Sequence, residues 1–454
     1  MSEVLSLDIW QWLAGPQAHE LVERAAATAP TDVAGIERLR RLAAPERVRG
    51  AMLLAQARGK ARDKWNAPVA ARIFADPEGV EMASSARAAA YKAQRLREGL
   101  SRSGFIGRTR EPMVLDLCSG IGGDAMALAQ CSDFRVVAVD RDPVRAWMAG
   151  RNAGCDSLVR GLDETAGALA NLPDAAAVHL DPARRRGRSD GSRSRRIVSL
   201  ADHEPPPHVW TAVLEELGSR SGATCRGRAF PAAIKLSPGV NIGELTRVLP
   251  ERPLTLEYLS ESGRLTQAVA WLGALADAPG RRRATMLARD RAVHSLTEVH
   301  DMPALDAVLN PDNERAMASG LAGLGGRWLY EADDAIERAG LLAPVGAPFG
   351  MRELSRGLGL LVGEAGAQSP WLTGFEVLLA VAWNPRRIKG ALRGLDAGVV
   401  EVKTRGGAVD PDRLQMELRG AGSQTITLFV LRVGRKPVAV LTRRVAHGPS
   451  RHDL

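Results

Sequence analysis

Apolar residues recur at helical spacing through the first hundred residues, and the pattern predicts helices over Ala51 to Trp65 and Ser84 to Leu100, with an earlier one ending at Leu39-Arg40-Arg41-Leu42-Ala43-Ala44-Pro45. From Pro112 the period changes. Short apolar runs alternate with amphipathic stretches, predicting strands at Met113–Leu117, Arg135–Val139, around Leu158-Val159, Ala177–Leu180 and Ala232–Leu236. Leu254 to Ser260 and Arg264 to Leu272 are then joined by Glu261-Ser262-Gly263, which reads as a hairpin instead of a further crossover. The expected fold class is therefore α/β, a Rossmann-like seven-stranded sheet ending in an antiparallel hairpin.

Beyond Ala274, Ala278-Pro279-Gly280-Arg281-Arg282-Arg283 reads as a linker, and residues 285–370 are glycine-broken with no chemistry to assign. The last segment is orderly. A strand at Phe375 to Val381, a helix from Asn384 to Leu395 and a strand at Gly398 to Lys403 come first. A helix opened by Asp410-Pro411-Asp412 follows, then strands at Thr425–Val433 and Pro437–Thr442, giving a small basic β-α-β-α-β-β module. The expected organisation is a helical region over 1–105, an α/β domain over 106–275, a connecting region over 285–370 and the α+β module over 371–447.

At 454 residues the chain is too long for one core. Its net charge of +9 favours a polyanionic partner, although arginine is abundant throughout. The cysteines, Cys118, Cys131, Cys155 and Cys225, lack C-x-x-C spacing, and the histidines form no H-E-x-x-H, so neither a disulfide framework nor a metal site is expected. Met1 to Leu13 does not combine a basic start with an apolar run, and no stretch approaches the roughly 20 apolar residues of a membrane span. A soluble, reduced, cytoplasmic protein is expected, with no membrane partner.

The candidate chemistry starts at Val114-Leu115-Asp116-Leu117-Cys118-Ser119-Gly120-Ile121-Gly122-Gly123, a strand running through an acid into a glycine turn that opens a helix. A second strand ends on Asp140, twenty positions after Gly120. Such a βαβ unit grips an adenosine, its glycines admitting the ligand and its second acid taking the ribose hydroxyls. The acid at 116 suits the amino group and positive charge of S-adenosylmethionine and would repel a pyrophosphate. The expected cofactor is S-adenosyl-L-methionine, contacted by Asp116, Cys118, Ser119, Gly120, Gly122, Gly123, Asp140 and Arg141, with Asp163 after the third strand facing the adenine and Asp181 bordering the methyl group. Cys118 fills the small-residue slot of the loop and has no reactive role.

Asp181-Pro182-Ala183-Arg184 follows strand four, where ligands sit beyond the carboxyl ends of the strands. Asp181, Pro182 and Arg184 are the candidate catalytic residues: an aspartate there can orient or deprotonate an N–H or O–H nucleophile for in-line attack. Asp181-Pro182 resembles the start of the [Asn/Asp/Ser]-Pro-Pro-[aromatic] motif of amino-methylating enzymes, but Arg184 replaces the aromatic. It also resembles the D-P-P-R of uracil C5 methyltransferases, which need a nearby cysteine; strand five leads instead into Lys235-Leu236-Ser237-Pro238-Gly239, with only Cys225 upstream. Arg184, Arg185, Arg186 and Lys235 are the candidate substrate-binding residues, the arginines opening a run that continues through Arg188, Arg193, Arg195 and Arg196.

Taken together, Ala57-Arg58-Gly59-Lys60-Ala61-Arg62-Asp63-Lys64-Trp65, Ser84-Ser85-Ala86-Arg87-Ala88-Ala89-Ala90-Tyr91-Lys92-Ala93, the Asp-Leu-Cys-Ser-Gly loop, Asp181-Pro-Ala-Arg-Arg185 and Tyr330-Glu-Ala-Asp333 resemble the bacterial class I methyltransferases that carry a C-terminal THUMP-like domain. Phe375-Glu376-Val377 and Val402-Lys403-Thr404-Arg405-Gly406-Gly407 resemble that appended module. The core is also similar to trimethylguanosine synthases in its D-L-C-x-G-x-G-G loop and Asp140-Arg141-Asp142-Pro143, but it lacks their tryptophan after the strand-four proline. The resemblance implies RNA, tRNA or rRNA, as substrate and partner. Two other readings remain open at this point: transfer to a protein or small molecule, and a catalytically inactive protein that binds S-adenosylmethionine and RNA.

Overall fold

The structure, a computed structural model, describes residues 5–106, 111–162, 171–184, 199–220, 229–240, 242–249 and 254–445. The chain divides into two compact units, one of Met1–Leu259 with Thr266–Arg282 and the other of Ser260–Leu265 with Arg283–Leu454.

The first unit opens with α1 (Leu7–Leu13), α2 (His19–Ala26), α3 (Val33–Arg40), α4 (Pro45–Ala61), α5 (Ala67–Arg72), α6 (Pro77–Met82) and α7 (Ala86–Arg102). Local chemistry sets their starts. Asn66, Asp76 and Ser85 each accept a backbone N–H from the first turn, and proline stands in the first turn of α4, α5 and α6. Lys64, in the basic stretch Arg58 to Lys64, donates to the carbonyls of Val80, Glu81 and Ala83 at 2.7, 2.8 and 2.6 Å, capping the end of α6.

The α/β part runs β1 (Met113–Leu117), α8 (Gly123–Leu128), β2 (Arg135–Asp140), α9 (Pro143–Ala153), β3 (Asp156–Val159), β4 (Ala177–Leu180), β5 (Ala183–Arg184), β6 (His203–Glu204), β7 (Ala232–Leu236), β8 (Leu254–Glu261) and β9 (Arg264–Leu272), followed by β10 (Arg282–Leu287) and β11 (Val293–Thr297). The large sheet has the order β11-β10-β8-β9-β7-β4-β1-β2-β3. β1 lies parallel between β2 and β4, β4 is parallel to β7, and β9 returns antiparallel to β7. The sheet has nine strands, because β10 and β11 pair antiparallel and continue it beyond the β8–β9 hairpin at which the sequence reading ended. Apolar side chains of β1, β2, β7 and β9 pack on Ala93, Leu96 and Leu100 of α7.

The amino-terminal helices share a core with the helices that follow the glycine loop, because Ile121, Val144 and Met148 are buried among Trp10, Leu54, Trp65 and Val80. Polar bonds hold the same seam. Asn152 accepts from the Phe74 N–H and donates to the carbonyls of Phe74 and Ile121, and Arg145 binds both carboxylate oxygens of Asp76.

The second unit contains β12 (Trp328–Ala332), β13 (Arg352–Glu353), β14 (Leu360–Gly363), β15 (Leu372–Ala382), β16 (Ala397–Arg405), β17 (Gln424–Val433) and β18 (Lys436–Arg444) in the order β13-β14-β12-β15-β18-β17-β16. β16 and β17 are parallel across helix Pro411–Leu418, and the other pairings are antiparallel. Residues 328–363, which carry no motif beyond Tyr330-Glu-Ala-Asp333, thus supply three strands of this sheet. The motif is structural glue. The Tyr330 hydroxyl donates to the Ala365 carbonyl and accepts from the Ala367 N–H, both at 2.7 Å, while Glu331 takes Lys403 and Arg405 on its two oxygens at 2.6 and 2.7 Å.

Candidate active site

Asp116, near the end of β1, is the centre of the site. Its parallel neighbour on β4 is His179, and the imidazole Nδ1 lies 2.7 Å from Asp116 Oδ1. Asp116 is 1% exposed, yet its Oδ2 has no hydrogen-bond partner among the described residues. Burial pushes its carboxyl above the usual range, against the pull of His179.

The chain then turns. Cys118 adopts a positive φ of 58°, and burial raises its thiol well above the ordinary value, which leaves it unreactive. Ser119 is buried, with a hydroxyl that lacks a partner among the described residues, and its N–H donates to the Val139 carbonyl at 3.1 Å. Gly120 and Gly122 need their glycine character for different reasons. Gly120, at φ +56°, faces open space, since a Cβ would meet nothing within 4 Å. Gly122, at φ +82°, packs so closely on α9 that a Cβ would stand 2.7 Å from Ala149 Cα. Gly123 begins α8.

Asp140 closes the loop from β2. Its Oδ2 accepts the Gly120 N–H at 2.9 Å and its Oδ1 the Asp142 N–H at 3.0 Å. Burial raises this carboxyl despite both bonds. Arg141, next in sequence, is exposed and forms an ion pair with Glu204 at the end of β6.

At the end of β4, the Asp181 N–H donates to the Leu117 carbonyl at 3.1 Å, placing the candidate catalytic carboxylate beside the cofactor loop. Its side chain is 30% exposed and accepts from Lys235 Nζ of β7 at 2.6 Å. Burial opposes the charge on Lys235, but Asp181, Asp124 and Asp116 together outweigh it and raise the ammonium's pKa. Pro182 is buried, and β5 and β6 pair so that Ala183 faces Glu204 and Arg184 faces His203. The Arg184 side chain and the whole of Asp163, Arg185 and Arg186 lie outside the described residues.

Four further residues join the site without having been singled out by sequence. Lys92 of α7 is fully buried, with Nζ 2.7 Å from Asp124 Oδ1, 3.1 Å from Ser84 Oγ and 3.4 Å from His179 Nε2. Ser84 donates to Asp124 Oδ2 at 2.9 Å. Asp124 is held well below the usual carboxylate range: burial works against its charge, but Lys92, with Lys235 behind it, prevails. A signal existed for two of them. Lys92 interrupts the apolar face Ala89, Ala93, Leu96 of α7, and His179 is the lone polar residue of Ala177–Leu180, one residue before Asp181.

Similarity to known proteins bears on this geometry. Residues 372–444 match the family described as THUMP domain-like. An uncharacterised S-adenosylmethionine-dependent methyltransferase of Mycobacterium tuberculosis, found in strain H37Rv and in strain CDC 1551, is 31% identical over 409 residues, covering 90% of this chain and 98% of the relative. The crystal structure of a provisionally assigned methyltransferase from Porphyromonas gingivalis W83 superposes with a TM-score of 0.64 over 97% of this chain and 98% of that one; at 18% identity it speaks for the fold. Among the described residues no helix is long and apolar enough to cross a membrane, and no cluster could hold a metal ion. The chain belongs to the S-adenosylmethionine-dependent methyltransferases: it is a class I enzyme whose cofactor is S-adenosylmethionine.

Proposed function

We propose that this methyltransferase modifies a nucleoside in RNA, with tRNA and rRNA as the candidate substrates, by direct in-line methyl transfer. The observation that carries the reading is Asp181. It sits at the carboxyl end of β4, held by Lys235, at the start of the arginine-rich stretch, in a chain that also carries a THUMP-like module. Strands β1–β4 and β7–β9 would form the seven-stranded catalytic unit within residues 106–275. Residues 1–105 would support it, 285–370 would connect, and 371–447 would bind RNA.

The residues present fit the cofactor. Among the described residues Asp116 Oδ2 is an unpartnered buried acceptor suited to an ammonium and the Ser119 hydroxyl has no partner, and Gly120 leaves open space beside Asp140, whose oxygens retain acceptor capacity for ribose hydroxyls. Bound there, S-adenosylmethionine supplies a methyl group activated by a sulfonium. Asp181 orients the nucleophile toward it, Pro182 fixes the backbone after the acid, and Arg184, Arg185 and Arg186 bind phosphate. Lys235 fixes the orientation of the Asp181 carboxylate through their 2.6 Å contact, and Asp163 faces the adenine.

The test is transfer of tritiated methyl from S-adenosylmethionine into a lysate of a strain deleted for the gene, fractionated into RNA, protein and small molecules, with Asp181→Ala as control. Counts in RNA that vanish with Asp181→Ala, while the variant still binds cofactor, are expected. Counts confined to protein or small molecules overturn the RNA reading, and full turnover by Asp181→Ala overturns the role of the acid.

A further inference from the structure

We infer that Lys92 and His179 are positioning residues for the cofactor, acting through Asp116 by fixing which imidazole nitrogen carries the proton. Lys92 can only donate, and three groups surround its ammonium: Asp124 Oδ1 in an ion pair at 2.7 Å, and the hydrogen-bond partners Ser84 Oγ at 3.1 Å and His179 Nε2 at 3.4 Å. A proton on Nε2 would point at the ammonium, with only Asp124 Oδ2, 3.9 Å away, to offset the clash. Nε2 is therefore the bare nitrogen. The proton sits on Nδ1, which donates to Asp116 Oδ1 at 2.7 Å.

The consequence falls on the other carboxylate oxygen. With Oδ1 accepting a charge-assisted bond, Asp116 stays ionised, the carboxylate plane is fixed, and Oδ2 is left as the buried acceptor without a protein partner. The remaining partners of the cluster agree with this polarity. Ser84 spends its proton on Asp124, so its oxygen is free to accept from Lys92, and no second donor reaches Nε2 among the described residues. An amino-terminal helix, α7, thus reaches through the core and orients the group that receives the cofactor's amino end.

Two measurements on the full-length protein test this. In cofactor-free protein labelled with ¹⁵N-histidine, long-range ¹H–¹⁵N correlation should show His179 as the Nδ1–H tautomer, its signal identified by its loss in His179→Gln. Lys92→Met should move that signal toward the Nε2–H form. By calorimetry, Lys92→Met should weaken S-adenosylmethionine about tenfold while leaving methylthioadenosine, which has no amino-acid portion, unchanged. His179→Gln, which keeps one acceptor and one donor, should retain most of the affinity that His179→Leu loses. An Nε2–H tautomer in the unsubstituted protein overturns the inference, as does an equal loss for both ligands, which would mean that Lys92 only supports the fold. Should Lys92→Met not fold, the tautomer and the two His179 variants still decide.

Discussion

Neighbouring residues of α7 serve two buried carboxylates that look alike and differ in what they leave open. Tyr91 donates to Glu257 Oε1 at 2.6 Å, Trp271 Nε1 donates to Oε2 at 2.7 Å, and Arg95 lies 3.8 Å away, stacked over the Trp271 ring and bonded to Asp277. Both oxygens of Glu257 are taken, and the group is 0% exposed. One residue along, Lys92 serves Asp116 through His179, and there one oxygen remains without a partner among the described residues. A buried acceptor left open costs about 1–3 kcal/mol in an otherwise satisfied interior. The fold bears that cost at Asp116 and avoids it at Glu257. On the proposed reading, the open second oxygen is what separates Asp116, as a ligand-binding carboxylate, from Glu257, which binds structure alone.

The comparison can be broken most sharply at Glu257. Glu257→Gln leaves Arg95 buried beside a neutral amide and should cost about 3 kcal/mol, read as a fall in the denaturant midpoint, with cofactor affinity intact. Asp116→Asn should do the reverse, keeping the midpoint close to its original value while weakening S-adenosylmethionine roughly 100-fold by calorimetry. If the two variants behave alike, the distinction fails.

A smaller effect follows from protonation. Burial raises both Asp116 and Asp140, and an ammonium ligand favours the ionised form of Asp116. Affinity should therefore be level near neutral pH and weaken as pH falls through a range above that of ordinary carboxylates, with net proton release on binding. Methylthioadenosine should follow only the Asp140 part of that profile. Gly122→Ala tests the loop itself: the clash with Ala149 and the positive φ should cost about 2 kcal/mol, measured as lowered stability. Least of all, Arg141→Ala removes an exposed pair with Glu204 and should change stability by less than about 1 kcal/mol.

The shape of the glycine loop was legible because its structure is local. Asp116, Gly120, Gly122 and Asp140 lie within one βαβ unit, where strand, turn and helix fix one another over a few residues. The β7 strand and the β8–β9 hairpin were equally readable from alternation and turn residues. What sequence reading missed is what only tertiary contact defines. Lys92 and His179 are 87 positions apart, and nothing in either segment says that they meet. The strands β10 to β14 were missed for another reason: glycines break the apolar runs, and β13 is two residues long, too short to show a period. Arg141 shows the limit of proximity in sequence, since it follows Asp140 yet turns to Glu204.

The pairing of β5 with β6 has one more consequence. Ala183 and Glu204 face each other, so a two-residue clasp pairs the strand that follows Asp181 with chain twenty-one positions further along. The entropy of closing such a loop grows only with the logarithm of its length, so residues there can be added, lost or exchanged at little cost to the fold. Asp116, Asp140 and Asp181 lie outside the clasp. If the arginine-rich stretch holds the substrate as proposed, the acceptor could be changed by rewriting that stretch alone, with the three aspartates left in place.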